Sequence, residues 1–302
     1  METTTYHIPA LLQETIAGLN VRPNGNYVDA TFGGGGHSRA ILSLLGPEGH
    51  LYGFDRDPDA LANSPGSPEF TFVHSDFRYI SNFMHFYGVD HVDGILADLG
   101  VSFHHFDTAE RGFSFRTDAP LDMRMNPASS LTAATIVNEY AKEELERLFR
   151  NYTDLKRPGQ IAATIIKARE KAIIETTFQL VEAVKSCINP RAEKKELSQI
   201  FQALRIEVNG EMDALSQLLN QAGKVLQPGG RIAVITYHSI EDRMVKNFFR
   251  SGNIDGKVEQ DIYGRVETPW KQITRSPITP SESEVEANPR SRSAKLRIAE
   301  KI

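Results

Sequence analysis

The sequence is poor in residues that cross-link a chain. It has one cysteine in 302 residues, Cys187. A single cysteine cannot form a disulfide within the chain, and it excludes metal clusters that several thiolates would hold. We therefore expect Cys187 to be a small apolar residue without a catalytic role.

Long apolar runs are also missing. No run in the sequence approaches the ~20 residues that a membrane-spanning helix needs. The first residues have neither the basic nor the apolar segment of a secretory signal. The sequence thus predicts a cytoplasmic protein without a membrane partner, and it leaves both a monomer and a homodimer open.

Acidic residues outnumber basic residues overall, but basic residues are concentrated locally. The net charge of −5 predicts no general attraction to a polyanion. Residues 142–205 nevertheless hold 13 Lys and Arg against 9 Asp and Glu, and residues 287–302 hold 5 against 1. Each segment has a local charge of +4 and is a candidate for following RNA phosphates. A solvated helix face is the alternative for any one of these charges.

The glycine-rich stretch between Tyr27 and Asp55 is the centre of the sequence. A hydrophobic strand at 27–31 precedes Gly33–Gly36, a helix begins near His37, and a second strand ends at Asp55. Glycine lets the backbone approach a ligand closely, and a helix start offers free N–H groups. A carboxylate at Asp55 can accept both hydroxyl protons of a ribose. The order of elements is typical of nucleotide-like cofactor binding.

The loop differs from two common phosphate-binding motifs. A dinucleotide fingerprint needs glycine where Ser38 stands, and a P-loop needs a Gly-Lys-Ser/Thr that does not follow. A nucleoside without a pyrophosphate fits better, and S-adenosylmethionine (SAM) is the obvious candidate. The alternative is a glycine-rich turn in an ordinary α/β domain.

Strands and helices continue to alternate after this loop. Further strands are predicted at 51–54, 70–73 and 92–97, with helical segments between them. Such a series predicts a parallel sheet with helices on both faces. A fifth strand is predicted at 231–236. Strand candidates at 273–274 and 293–301 suit the antiparallel end of a methyltransferase sheet.

A helical segment interrupts the alternation. From residue 132 to about 196 the apolar spacing is helical almost throughout, and residues 99–124 have no clean period, which is typical of a functional loop. The predicted fold class is α/β, a Rossmann-like methyltransferase sheet with an inserted helical domain. We assign residues 1–107 and 198–302 to the methyltransferase domain and residues 108–197 to the insertion.

Two residues at strand ends are candidates for the site. Asp98 ends the fourth strand, where ligands of open α/β sheets bind, and we expect it to face the reacting group. Its alternative is to cap a turn. We expect Phe77 either to stack on an adenine ring or to belong to the core. No metal site is predicted, because no set of His, Cys and carboxylates has ligand spacing.

Seven blocks of sequence resemble the bacterial ribosomal RNA small subunit methyltransferase H family, also called MraW-like. The two most specific are R-G-F-S-F-R-T-D-A-P-L-D-M-R-M at 111–125 and P-G-G-R-I-A-V-I-T-Y-H-S-I-E-D-R at 228–243. The others lie at 29–38, 53–61, 98–102, 201–209 and 288–297. The resemblance therefore spans nearly the whole chain.

The resemblance implies an activity and a set of contacts. SAM would methylate N4 of a cytidine in the decoding region of 16S ribosomal RNA, within the small ribosomal subunit, and leave S-adenosylhomocysteine. The helical insertion is assigned to RNA recognition and Asp98 to catalysis. The cofactor contacts expected for this family are Gly34, Gly35, Gly36, His37, Asp55, Phe77, Asp98 and His105.

The chain departs from the family pattern in two places. The family usually reads S-S-P-Q-L-D where residues 102–107 read S-F-H-H-F-D, so His105 stands in the glutamine position. The usual T-R-T before Phe201 is also absent, and residues 197–200 read L-S-Q-I. We expect the second departure to affect an RNA contact, not the reaction.

The expected chemistry is an in-line methyl transfer. We expect Asp98 to accept a hydrogen bond from the cytidine N4 and later its proton. An aromatic side chain from Phe103, Phe113, Phe115 or Tyr237 is expected to stack on the extruded base.

Two other classes of function stay open, an oxidoreductase and an RNA chaperone, whereas a hydrolase is disfavoured. A NAD-dependent oxidoreductase lacks support because the third glycine and a Tyr-x-x-x-Lys are missing. A Ser/His hydrolase at Tyr237-His238-Ser239 lacks a nucleophile elbow. A SAM-binding RNA chaperone without turnover is harder to exclude, because binding and catalysis share the same residues.

Overall fold

The structure is a computed structural model, and it describes residues 9–99, 111–260 and 267–302. Contacts divide the chain into two compact units, one from residues 1–100 and 213–302, the other from 101–212. The boundaries predicted from the sequence were 107/108 and 197/198. The helix at Glu193–Asn209 packs with the helical unit, because Ile200, Phe201 and Leu204 belong to the core of that unit.

The first unit is built on a mixed sheet. In the part of the chain that the structure describes, its strand order is β3-β2-β1-β4-β5-β7-β6. The strands are β1 Asn26–Asp29, β2 His50–Asp55, β3 Phe70–His74, β4 Val92–Asp98, β5 Leu226–Thr236, β6 Trp270–Gln272 and β7 Lys295–Lys301. Strands β1 to β5 pair in parallel, and β7 is antiparallel to both β5 and β6.

The burial of the central strands follows from their sequence. The centre of β4, residues 94–97, is buried without alternation, as expected for a strand covered on both faces. The strand order reverses between β1 and β4, which is where open α/β sheets bind ligands. The prediction of a Rossmann-like methyltransferase sheet is confirmed.

The first residues of the helices were predicted less accurately than the strands were. They are α1 Leu12–Leu19, α2 Gly36–Leu42, α3 Ile80–Phe86, α4 Ala133–Glu139, α5 Lys142–Tyr152, α6 Pro158–Arg169, α7 Thr177–Val184, α8 Glu193–Asn209, α9 Glu211–Val225, α10 Ser239–Ser251 and α11 Glu282–Ala287. The helical segment expected between β2 and β3 is a 3-10 turn at Pro58–Asn63, and α3 is preceded by another such turn at Phe77–Tyr79. Within the described ranges, no helix is long and apolar enough to cross a membrane.

The second unit is helical and has its own core. In α5, the buried side chains of Leu145, Leu148 and Phe149 lie on one face, because residues three and four apart are neighbours on a helix. Ile161 and Ile165 of α6 belong to the same buried cluster. Helical packing from residue 133 onward agrees with the helical pattern of the sequence.

The last strand returns the chain to the ligand-binding edge of the sheet. Because β7 is antiparallel to β5, its first residue, Lys295, pairs with Thr236 at the end of β5. Further along β7, Arg297 is buried and donates from Nε to Asp242 Oδ1 of α10 at 2.7 Å. This ion pair fastens β7 to the helix that follows β5.

Candidate active site

Four carboxylates lie along the carboxyl edge of the sheet. Asp76 follows β3, Asp55 ends β2, Asp29 ends β1 and Asp98 ends β4. Neighbouring strands are about 4.8 Å apart, so Asp55 and Asp98 lie about two spacings, or ~10 Å, from each other. The edge therefore offers carboxylates at two separated positions for one elongated ligand.

The glycine loop needs glycine for two physical reasons. Gly33 and Gly35 have φ values of 50° and 70°, in the left-handed region that disfavours a side chain. A Cβ on Gly36 would overlap the ring of Pro9. A Cβ on Gly34 meets no atom within 4 Å among the described residues, so the loop is open on that side.

Asp55 joins the end of β2 to this loop. Its Oδ2 accepts the Gly33 N–H and its Oδ1 accepts the Asp57 N–H, both at 2.8 Å. Burial raises the pKa of Asp55, while the two N–H donors act in the opposite direction. Each carboxylate oxygen keeps a second lone pair, which suits a ribose diol.

Two side chains hold the carbonyl groups of the loop. The Asn63 amide donates to the Gly33 carbonyl at 3.0 Å, and Arg39 donates to the Gly34 carbonyl at 2.6 Å. The loop is therefore shaped by the protein itself. Its N–H groups do not depend on a ligand for their position.

Asp29 is a buried anchor of the same loop. Its side chain is 1% exposed. Its Oδ2 accepts the Ser38 hydroxyl at 2.6 Å, and its Oδ1 accepts the Thr31 N–H at 3.0 Å. Burial raises the pKa of Asp29, and these hydrogen bonds oppose the rise. Asp29 thus fixes the start of α2.

His37 lies beside Asp98. Its Nε2 donates to the Ala10 carbonyl at 3.2 Å, and its Nδ1 lies 3.8 Å from Asp98 Oδ2. Burial lowers the pKa of His37, so the ring is neutral with its proton on Nε2. The unprotonated Nδ1 therefore faces the Asp98 carboxylate.

Asp98 is held from two neighbouring strands. Its N–H donates to the Thr31 hydroxyl at 2.7 Å, and the next N–H, that of Leu99, donates to the Ile235 carbonyl at 2.9 Å. The side chain of Asp98 is about one-fifth exposed, at 20%. A carboxylate on a fixed backbone with a partly open face suits a group that must meet a substrate.

Tyr237 follows β5 and reaches the same carboxylate. Its N–H donates to Glu241 Oε2 at 2.9 Å, which fixes the start of α10. Its hydroxyl lies close to the Asp98 carboxylate. Burial and the nearby carboxylates of Asp98, Glu241 and Glu284 raise the pKa of Tyr237. The phenol therefore stays protonated and remains a hydrogen-bond donor.

Phe77 and Asp76 lie at the far end of the edge. Phe77 is 8% exposed. Asp76 caps the turn by accepting the Arg78 N–H at 2.9 Å, and it lies 3.3 Å from Arg56 Nη1 and 3.1 Å from Arg78 Nε. The adenine and core interpretations of Phe77 both agree with this burial, so its cofactor contact stays a prediction.

The structure collects most of the predicted site residues in one unit. Gly34, Gly35, Gly36, His37, Asp55, Phe77 and Asp98 all belong to the sheet unit. His105, like the aromatic candidate Phe103, lies outside the described residues.

Several contacts of the site could not be found in the sequence. From the sequence, Ser38 was considered only as the residue that replaces a glycine. Its contact with Asp29 was nevertheless predictable, because Asp29 ends a strand nine residues before Ser38, which lies on the next helix. Three further contacts join distant segments of the chain: those of Thr31 and Tyr237 with Asp98, and that of Ala10 with His37. No local pattern identifies them.

A model of the MraW methylase family matches residues 4–302. The chain belongs to this family. It is thus a methyltransferase whose methyl donor is SAM.

The sequences of close relatives align with almost the whole length of this methylase. "Ribosomal RNA small subunit methyltransferase H" of Bacteroides thetaiotaomicron is 55% identical over 98% of both chains. The protein of the same name in Parabacteroides distasonis is 57% identical over 98% of both chains. A solved rRNA methylase of Streptococcus thermophilus aligns with 96% of this chain and 93% of its own, with 12% identity and a TM-score of 0.40.

The described residues of this methylase fit SAM. The loop is open at Gly34, and Asp55 retains lone pairs for two hydroxyl groups. The ~10 Å between Asp55 and Asp98 allows a ribose to lie at one end and a reacting methyl group at the other. When bound, SAM supplies an electrophilic methyl group on a sulfonium.

Proposed function

We propose that this methylase transfers the methyl group to N4 of a cytidine in the decoding region of 16S ribosomal RNA, in the cytoplasm. The names of relatives that are 55% and 57% identical support the choice of small-subunit ribosomal RNA. The observation that carries the proposal is the Asp98 carboxylate. It lies at the switch point of the sheet, is partly exposed, and has a backbone held by the Thr31 hydroxyl and, through Leu99, by the Ile235 carbonyl.

A cytidine amine requires such a carboxylate. The N4 lone pair is delocalised into the ring, so N4 is a poor nucleophile. Asp98 accepts a hydrogen bond from N4, which localises the lone pair for attack, and it takes the proton as the N–C bond forms. The remaining contribution of the protein is to align N4 with the methyl carbon at about 3 Å.

The neighbours of Asp98 prepare it for this role. The protonated Tyr237 hydroxyl lies close to the carboxylate and can donate to it, which would restrict the orientation of Asp98. The neutral Nδ1 of His37, at 3.8 Å, presents a lone pair and no competing donor. The carboxylate therefore keeps accepting capacity toward the substrate.

We assign RNA recognition to the helical insertion. Several of its cations are used internally: Arg169 donates to the Val137 and Tyr140 carbonyls, and Arg205 pairs with Glu211. Others are exposed at helix starts, namely Lys156 and Arg157 before α6 and Arg191, Lys194 and Lys195 around the start of α8. These exposed cations are the candidates for phosphate contacts.

The test is transfer of tritiated methyl from SAM to small ribosomal subunits from cells lacking this protein. Nucleoside analysis should recover the label as N4-methylcytidine. Asp98→Asn should abolish transfer while SAM affinity stays within about threefold, because the ribose and loop contacts remain. Asp90→Asn, a change at an exposed acid, is the matched control and should react normally.

Each other outcome has a defined meaning. Label in a different nucleoside would show that the methyl acceptor is that nucleoside and not N4 of cytidine. SAM binding without any transfer would favour a non-catalytic RNA assembly factor. Normal transfer by Asp98→Asn would show that another group accepts the proton.

A further inference from the structure

One buried carboxylate next to the site has no part in the transfer itself. Glu241 lies in the first turn of α10 and is 3% exposed. A carboxylate this deeply buried is costly unless hydrogen-bond donors surround it. The donors around Glu241 therefore show which part of the fold depends on its charge.

These donors come from the two residues that precede α10. Oε2 of Glu241 accepts the Tyr237 N–H at 2.9 Å and the His238 N–H at 3.4 Å, and Oε1 lies 3.0 Å from His238 Nε2. In return, the Glu241 N–H donates to His238 Nδ1 at 3.4 Å. In the neutral imidazole the proton is therefore on Nε2, facing the carboxylate. The Glu241 side chain thus closes the turn between β5 and α10.

This turn begins where the sheet stops supporting the backbone. The pairing of β5 with β7 ends at Thr236 and Lys295, so the Tyr237 N–H lies beyond the last paired residue. A backbone N–H that leaves a sheet needs another acceptor. Glu241 supplies that acceptor and so fixes the backbone from which the Tyr237 side chain extends.

The Tyr237 side chain extends from this turn toward Asp98. Ile235, two residues earlier, pairs with Asp98 in the register of β4 and β5. Residues two apart along a strand point to the same face, and the Tyr237 hydroxyl lies close to the Asp98 carboxylate. Because the ring is rigid, a small rotation of the turn moves the hydroxyl away from that carboxylate.

We propose that Glu241 is a positioning residue for methyl transfer, which holds Tyr237 in the orientation that brings its hydroxyl to Asp98. This inference rests on the proposed function, because it takes Asp98 as the group that accepts the proton of the methylated amine. A carboxylate suits the task better than an amide, since both of its oxygens accept hydrogen bonds. An amide at this place would set an N–H group against another donor.

The test is a double-mutant cycle between Glu241 and Tyr237. Glu241→Gln, Tyr237→Phe and their combination are compared with the wild type in single-turnover transfer of tritiated methyl from SAM to small ribosomal subunits. Glu144→Gln is the matched control, since Glu144 caps α5 of the helical unit by accepting the Ala141 N–H at 2.8 Å. The SAM Kd, the KM for small subunits and the melting temperature are measured for each variant.

Glu241→Gln should slow the single-turnover step about tenfold, while the SAM Kd and the KM stay within about twofold, because only the chemical step needs the Tyr237 hydroxyl. In the Tyr237→Phe background it should slow the step by less than about twofold, since the hydroxyl that it positions is already gone. A residue that only stabilises the fold would slow the step by the same factor in both backgrounds. Glu144→Gln should react normally.

Glu241→Asp keeps the test open if the glutamine variant does not fold. Aspartate keeps the negative charge in the first turn of α10, where the helix dipole favours it. Its side chain is one methylene shorter, so the contact with the Tyr237 N–H is lost. The same tenfold loss is expected, and again it should be absent in the Tyr237→Phe background.

The outcomes separate this inference from the proposed function. Equal slowing in both backgrounds, or no slowing in either, would overturn the inference, while label in N4-methylcytidine from the wild type would leave the proposed function standing. A non-additive cycle with the label in another nucleoside would support the inference and contradict the proposed acceptor. A wild type that transfers no methyl group to small subunits would contradict both.

Discussion

At the scale of single residues, Ser38 shows how a departure from a familiar motif acquires a role. Its hydroxyl occupies the place of the third glycine in a dinucleotide loop and donates to Asp29 at 2.6 Å. Asp29 is buried, and a buried carboxylate is costly unless donors surround it. The hydroxyl therefore supports the loop that is proposed to bind the cofactor.

We predict that Ser38→Ala lowers the free energy of unfolding by about 1–3 kcal/mol, because Oδ2 of Asp29 loses its side-chain donor. Urea unfolding measures the change. Ser43→Ala, at an exposed serine just after the same helix, should change stability by less than ~0.5 kcal/mol. Equal stability of the two variants would contradict the anchoring role of Ser38.

We predict that Tyr237→Phe lowers kcat by about tenfold or more, because Asp98 loses the donor that restricts its orientation. The SAM Kd should not change. Single-turnover methyl transfer separates the chemical step from binding. Tyr79→Phe, which alters an exposed tyrosine, is the control. An unchanged chemical step would mean that Tyr237 contributes packing only.

The sequence predicted part of this site. Asp98 and Asp55 were predictable because a hydrophobic run ends at each, and parallel strands bring such ends to one edge. The contact of His37 with the Ala10 carbonyl and that of Tyr237 with Asp98 were not. Both join segments far apart in the chain, and only tertiary packing selects them.

At the scale of elements, strands were easier to predict than helix starts. Strands β1 to β4 lie within two residues of their predictions, because each is a short apolar run bounded by turn residues. Strand β5 begins at Leu226, before the predicted start at 231, although residues 227–230 lie between its pairings with Val92 and Gly94 of β4. A register shift between Val92 and Gly94 of β4 accommodates these residues.

The ion pair between β7 and α10 gives a pH-dependent stability. Burial raises the pKa of Asp242, but hydrogen bonds from Arg297 and Lys295 outweigh it and hold this pKa below its ordinary value. A carboxylate with a lowered pKa in the folded state stabilises the protein above the unfolded-state pKa of about 4. That contribution is lost as the pH falls through the folded-state pKa.

We predict that Asp242→Asn lowers the free energy of unfolding by about 3 kcal/mol at pH 7, because buried Arg297 loses its partner. The difference from the wild type should begin to shrink below about pH 4, where Asp242 of the unfolded chain binds a proton, and it should disappear as the pH falls through the lower folded-state pKa. Urea unfolding across pH 3–7 measures it, with Asp90→Asn as the exposed control. A difference that does not depend on pH would contradict the charge argument.

At the scale of the whole molecule, each unit has a separate apolar core. The helical unit buries Leu145, Phe149 and Leu204, and the sheet unit buries Leu51 and Leu296 in a different cluster. Separate cores are typical of regions that open independently. The described cofactor-binding candidates belong to the sheet unit.

We predict that Leu145→Ala destabilises the helical unit by about 2–4 kcal/mol through a buried cavity. Hydrogen exchange should accelerate across residues 111–212, while the SAM Kd stays unchanged. Leu51→Ala, in the apolar core of the sheet unit, should instead weaken SAM binding. An equal loss of SAM affinity in both variants would show that the two cores are coupled.

The place of β7 in the sheet also sets an order of events during synthesis. This strand lies between β5 and β6, although the chain reaches it after both. Chains emerge from the ribosome with the N-terminal part first. The sheet cannot be completed, and Arg297 cannot meet Asp242, until the residues as far as Lys301 have left the exit tunnel. A protein that is proposed to modify ribosomes is thus incapable of acting until its last strand, β7, has been translated and has left the exit tunnel.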